Sequence, residues 1–187
     1  MITKHQTYFF TPRLGYGKEA NVFAISPAHA VKVTHVLYDR DETVERFQPV
    51  LERHRLFYSK NISVPKSEGI EDVKIRHKVT RFGFDHGSRV GLVMQRLYGV
   101  GGLNVDSSLK ERVEDLYEVE ADKAWELGYF SEEGLFNSIY VPLEDKLFLV
   151  DLREWRQISE CDPLVVENHR LFRQEQKERR NRERLSK

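Results

Sequence analysis

Three groups of residues in this chain carry side chains or backbone that could do chemistry. The first is Gly15 and Gly17, in the stretch LGYGKEANVFAISPAHAVKV from Leu14 to Val33. Two glycines spaced this way can take backbone angles closed to other residues, and they leave room for a phosphate to lie against main-chain amides. The second is Lys32, which ends the strand-like run Ala30-Val31-Lys32 and reads as a partly buried cation. The third is the run GYFSEEGLFNSIYVPLEDKLFLVDLREW, in which Asn137 and Asp151 bracket a hairpin and the acids Glu132 and Glu133 precede it. Taken alone, these residues equally describe a glycine-containing hairpin with a surface lysine and two plain loop acids.

The elements that must position them follow from local pattern. Thr7–Leu14 is β-rich and enters the glycine turn; Ala20–Ile25 and His29–His35 read as the next two strands, with Pro27 at the hairpin tip. From Asp39 to Lys60 the apolar period shifts towards that of a helix, and Pro49 predicts a break, with a second helix starting there. Val50, His54, Phe57 and Tyr58 then share a face, with Leu51 beside it. Asp72–Phe84 and Arg89–Leu97 read as strands joined by a turn at Asp-His-Gly-Ser, and GVGGLNVDSS reads as a flexible connector. Asp106 or Ser107 caps a helix running to about Leu127, with Leu109, Val113, Leu116, Val119, Ala124 and Leu127 on its apolar side. Asn137–Val141 and Lys146–Val150 form the hairpin that ends at Asp151.

Composition sets the outer bounds. At 187 residues, 40% hydrophobic and 32% charged, the chain suits one sizeable core or two small lobes sharing a cleft. Net charge is zero, which gives no overall polyanion-binding character, but residues 167–187 hold eight Arg or Lys against four Glu. The single Cys161 allows no intramolecular disulfide and no cysteine metal cluster. No apolar run approaches the ~20 residues that span a bilayer, and MITKHQTYFF lacks the apolar segment of a secretory signal. The expected compartment is the cytosol, of the producing cell or of a host.

The pattern G-x-G-x-x-A-x-V with A-V-K at strand spacing resembles the nucleotide-binding lobe of the protein-kinase superfamily. That resemblance implies an α+β, two-lobe fold that binds Mg-ATP between lobes. It places Gly15 and Gly17 over the phosphates, Val22 and Ala30 above adenine, and Ile139 below it. Met94 falls at the gatekeeper position, and Gln95-Arg96-Leu97 at the hinge whose backbone holds adenine. Lys32 would orient the phosphates, and Glu52, twenty residues on, would hold Lys32, with Glu45 as the competing acid. Asn137 and Asp151 would hold magnesium, a hard cation suited to oxygen ligands, and Glu132 would stand where the family keeps its catalytic aspartate. A rival register uses Glu133 and Ser138.

The departures from the family pattern are specific. H-R-D becomes Phe130-Ser131-Glu132, and D-F-G becomes Asp151-Leu152-Arg153, leaving Arg153 and Trp155 to lock the segment. Only 36 residues follow Asp151, with no A-P-E, no activation loop and no substrate helices, as in the minimal kinase-like proteins of bacteria, including injected effectors. The expected lobes are residues 1–97 with the hinge, residues 98–162 as a truncated C-lobe, and residues 163–187 as a basic helix. The resemblance implies an enzyme that phosphorylates Ser or Thr of a partner protein, in the producing cell or a host. Its alternatives are a pseudokinase binding module and a small-molecule kinase. The tail reads as a solvated helix or as an arm docking an acidic partner; it has few aromatics, so nucleic acid is not expected.

Overall fold

The computed structural model describes residues 6–7, 12–16, 20–35, 38–79 and 83–186. Strands β1 (Gln6–Thr7), β2 (Arg13–Tyr16), β3 (Ala20–Ala24), β4 (His29–Thr34), β5 (Ser67–Val79) and β6 (Gly83–Gln95) form one sheet in the order β1-β5-β6-β4-β3-β2. Only β1 runs parallel to its neighbour, β5. Alternation along the strands sorts the side chains. Phe23, Ile25, Val31, Val33, Val73, Ile75 and Val93 form a buried cluster on one face. Ala30 and Lys32, one residue out of phase with Val31 and Val33, point to the other.

Helix α1 (Arg40–Ser59) packs on that second face. Asp39 caps it, accepting the Glu42 N–H at 2.7 Å, and its carbonyl also takes the Thr43 hydroxyl at 2.7 Å. Contrary to the sequence expectation, Pro49 lies inside one continuous helix. Proline removes a single helix N–H, here on the solvent side, while Phe47, Val50, Leu51, His54 and Phe57 bury the opposite stripe and hold the helix together. Tyr58, expected on that stripe, is exposed. Strand β5 starts and ends five residues earlier than expected, and β6 runs longer: Asp85–Ser88, expected as a turn, belongs to β6 and pairs with β5, while residues 80–82 lie outside the described residues.

Beyond the hinge come β7 (Val100–Gly101), α2 (Lys110–Glu126), β8 (Tyr129–Phe130), β9 (Ser138–Val141), β10 (Lys146–Leu149), β11 (Arg156–Gln157) and α3 (Pro163–Leu185). The hairpin β9–β10 forms as expected, and β11 pairs with β8. Asp145, in the left-handed region at the hairpin turn, is fixed there by the Tyr140 hydroxyl at 2.9 Å and Arg112 Nη2 at 2.6 Å. The glycine connector is not a free linker. It supplies β7, which adds to the hairpin as an edge strand in the order β10-β9-β7. A Cβ on Gly99 would lie 2.2 Å from the Tyr140 carbonyl oxygen, and one on Gly102 2.2 Å from Ser138 Oγ. These glycines serve close approach to the hairpin. In α2, Val113 and Ala124 turn inward as expected, joined by Ala121, but Val119 and, just ahead of the helix, Leu109 are exposed.

One apolar cluster joins the two halves: Phe47, Val50, Leu51 and Phe57 of α1 and Leu92 of β6 pack with Val113, Ala121 and Ala124 of α2, Leu147 and Leu149 of β10, Leu152 and Trp155. Among the described residues no helix is long and apolar enough to cross a membrane.

Candidate active site

Cross-strand pairing assembles the sheet side of a cleft. Val22 lies opposite Lys32, Lys32 opposite Leu92, and Ala30 opposite Met94. Paired residues share a face, so Val22, Ala30, Lys32 and Met94 line one surface. Gly15 pairs with Val22 just after a register shift that begins at Arg13, at the mouth of the glycine turn. Gly17, the second glycine of that turn, lies outside the described residues. At the hinge, the Gln95 N–H donates to the Lys66 carbonyl at 2.7 Å and the Arg96 N–H to the Ala28 carbonyl at 2.8 Å. Tyr98, beside the half-buried Leu97, donates its hydroxyl to the Pro27 carbonyl at 2.5 Å.

The opposite side comes from the β9–β10 hairpin. Ile139 sits half-buried in β9, opposite Phe148 and Gly101. The Val150 N–H donates to the Asn137 carbonyl at 2.8 Å, so the start and end of the hairpin lie side by side. Asp151 follows directly, in the left-handed backbone region (φ 51°). Its Oδ1 lies 2.5 Å from Lys32 Nζ, an ion pair across 119 residues of sequence. The lysine side chain is 16% exposed and the aspartate 38%, so the pair is screened by solvent from one side only. The site brings together the sheet lysine and the hairpin aspartate.

Glu52 is not part of this contact. It projects to solvent and accepts Gln48 Nε2 at 2.8 Å along the helix, while Glu45 is also exposed. The reason is helical phase. Val50, His54 and Phe57 face the core, and Glu52, two residues after Val50, falls about 200° around the helix from it. Two polar residues of α1 do turn inward: Arg53, which the sequence left unassigned, and His54, which it placed on the apolar face. Arg53 donates Nη1 to the Leu152 carbonyl at 2.5 Å and to that of Arg153 at 3.4 Å. His54 is buried, with Nδ1 3.2 Å from the Pro65 carbonyl. Burial pushes its imidazole down to about 4; the Pro65 bond works against the shift, and the nearby Lys32 charge adds to it.

The loop acids separate. Glu132 turns towards Arg156, whose Nη1 lies 3.4 Å from Oε1, and it lines a small crevice between α2 and α3. Glu133 instead accepts the Asn137 side-chain N–H. Ser138 is buried and donates to the Leu135 carbonyl at 2.8 Å, so the rival register's hydroxyl is engaged in the fold. With Nδ2 given to Glu133, Asn137 keeps Oδ1 for a ligand, and Asp151 keeps Oδ2. Two side-chain oxygens of this kind fit magnesium, which typically takes one or two protein oxygens and completes its shell with water and phosphate. Among the described residues no group of three or more His, Cys, Asp or Glu could hold a metal without such help.

The basic tail is bound to the body. Arg173 Nη2 contacts Glu118 Oε2 and Asp122 Oδ1, each at 2.8 Å; Lys177 Nζ lies 2.8 Å from Asp122 Oδ2; and Arg180 Nη2 lies 3.1 Å from Glu118 Oε1. The segment is a helix, largely exposed, and the acidic partner of these three residues is α2 of the same chain. His169 stacks on Trp125 with ring centroids 5.9 Å apart and packs on Phe130 at 4.9 Å, directly before the loop that carries Glu132 and Glu133.

No family model matches the sequence, and no curated protein does. Among solved structures, the chain is similar to the crystal structure of WbdD, at 12% identity and TM-score 0.53, with 89% of this chain and 37% of that chain covered. WbdD co-crystallised with the kinase inhibitor LY294002 aligns at 12% identity and TM-score 0.46 over 80% of this chain and 34% of that one. The chain thus spans little more than a third of WbdD. At this identity the likeness is one of fold: the protein has a two-lobe, kinase-like α+β fold in minimal form.

Proposed function

We propose that the protein binds Mg-ATP in the cleft between the sheet and the β9–β10 hairpin and transfers the γ-phosphoryl group to Ser or Thr of a partner protein. The observation that carries this reading is the Lys32–Asp151 contact, which sets a fixed cation beside an oxygen ligand at the mouth of a face lined by Val22, Ala30 and Met94. Lys32 orients phosphate oxygens, and the backbone around Gly15 and Gly17 covers them. Gln95 and Leu97 offer hinge backbone to adenine above Ile139. Asn137 and Asp151 would hold magnesium, whose contribution is to neutralise charge on the phosphates. Glu133, seated at the Asn137 amide, is the acid offered to the acceptor hydroxyl. It replaces Glu132 in that role, because Glu132 is drawn to Arg156.

The displacement of Glu132 also favours a second reading, a pseudokinase that binds nucleotide or partner without turnover. Incubation with γ-labelled ATP, with and without magnesium, alone and with generic protein substrates, separates the two. Magnesium-dependent label on protein Ser or Thr supports the transferase. Nucleotide binding without transfer supports the binding module, and label on a metabolite would make the protein a small-molecule kinase.

A further inference from the structure

Asp151 sits in the left-handed backbone region, which a residue other than glycine keeps only where its surroundings hold it. Three contacts do so here. Lys32 engages its side chain, Leu152 is fully buried behind it, and Arg53 reaches from α1 to the carbonyls of Leu152 and Arg153. Arginine suits the last of these contacts, because the two hydrogens of Nη1 can meet two successive carbonyls, held in the plane of the guanidinium, while its charge is permanent. The guanidinium is braced in turn, with its carbon 5.6 Å from the centroid of the Tyr129 ring. The turn also closes on itself, as the Glu154 N–H donates to the Asp151 carbonyl at 3.2 Å and the Trp155 N–H to that of Leu152 at 3.3 Å.

We propose that Arg53 is the positioning residue of the magnesium-binding turn, joining α1 directly to the Asp151 segment in place of a helix glutamate acting through Lys32. Arg53 touches neither nucleotide nor metal. It fixes where Asp151 Oδ2 points by fixing the two peptide units that follow. The assignment of magnesium to that turn rests on the proposed function; the mechanical role of Arg53 does not.

Two measurements on the full chain test it: hydrogen exchange of the 151–155 amides without nucleotide, and the magnesium concentration for half-maximal ATP-dependent thermal shift. Arg53→Met keeps the apolar stem but loses the donor, Arg53→Lys restores a charged donor without the planar guanidinium, and Glu52→Ala is the control. The expected result for Arg53→Met is about tenfold faster exchange at Glu154 and Trp155, with unchanged exchange in β9 and β10, and about tenfold more magnesium for half-saturation. Arg53→Lys should recover part of both, and Glu52→Ala should change neither. Unchanged exchange in Arg53→Met, or equal losses in Glu52→Ala, would overturn the proposal, as would faster exchange with an unaltered magnesium requirement. A parent protein with no magnesium-dependent shift sinks the nucleotide reading and the metal role with it, while exchange still reports whether Arg53 holds the turn.

Discussion

Glu120 Oε2 accepts the backbone N–H of Ser63 at 2.7 Å, inside the protein, and so ties α2 to the loop that follows α1. The Ser63 carbonyl accepts the Leu149 N–H at 2.8 Å, so one residue of the sheet half is gripped twice by the hairpin half. Lys123 Nζ, 2.8 Å from Glu120 Oε1, balances the buried carboxylate. Glu120→Ala leaves the Ser63 amide buried without its partner, which costs about 1–3 kcal/mol. Urea denaturation should show that loss for Glu120→Ala and a smaller one for Glu120→Gln.

Lys32→Ala removes the cation from the cleft without emptying the core, since the apolar neighbours Val31 and Val33 face the other way. Circular dichroism should match the parent, while phosphotransfer falls by about 10²–10³, the scale for loss of a preorganised electrostatic group. A variant that transfers at the parent rate would take Lys32 out of the site.

Glu133→Gln and Glu132→Gln distinguish the two loop acids. If Glu133 meets the acceptor hydroxyl, its amide variant should lose about 10² or more in kcat and keep its nucleotide affinity. Glu132→Gln should stay within about threefold of the parent. The reverse order would return the role to Glu132.

His54 makes the protein acid-sensitive. Its folded pKa, about 4, lies below the ordinary 6.5, so below pH 6.5 the unfolded chain binds the proton more readily than the folded one. Its contribution is full above about pH 6.5, falls as pH drops, and is exhausted near pH 4. The difference corresponds to about 3 kcal/mol. Denaturation midpoints of the parent should fall more steeply over this window than those of His54→Asn, which can still donate to the Pro65 carbonyl. Parallel curves would refute the assignment.

Glu118→Ala should release α3 in part. Arg173 and Arg180, 13% and 15% exposed, would each lose a carboxylate in a setting that solvent covers only thinly, a loss of about 1–2 kcal/mol. Proteolysis of the 163–185 segment should quicken, and more so in high salt, where the remaining Asp122 pairs are weakened.

The placement of several candidate residues was legible because it is written in short-range pattern. Alternation alone puts Ala30 and Lys32 on the face opposite Val31 and Val33, and the N-to-D hairpin is a local ladder. Arg53 was not legible: the helical period carries Val50 and His54 to the core and turns Glu52 to water, but it leaves Arg53 at the edge of that face, where its partners are main-chain carbonyls 99 and 100 residues further on. Other features depended on distant partners. β7 is two residues long and exists only through pairing with β9, and the anchors of the basic tail, Glu118 and Asp122, lie about fifty residues upstream on α2. The divergence of Glu132 and Glu133 turns on one residue of loop geometry, set by Arg156 on one side and Asn137 on the other.

The apolar cluster that runs from Phe47 through Leu92 and Trp155 to Ala124 means that neither half can melt while the other keeps its core. Calorimetry should therefore record one transition, with the measured and van't Hoff enthalpies equal. Nucleotide bound at the sheet would then raise the melting temperature of α2 as much as that of β4, because the molecule has a single unit of cooperativity.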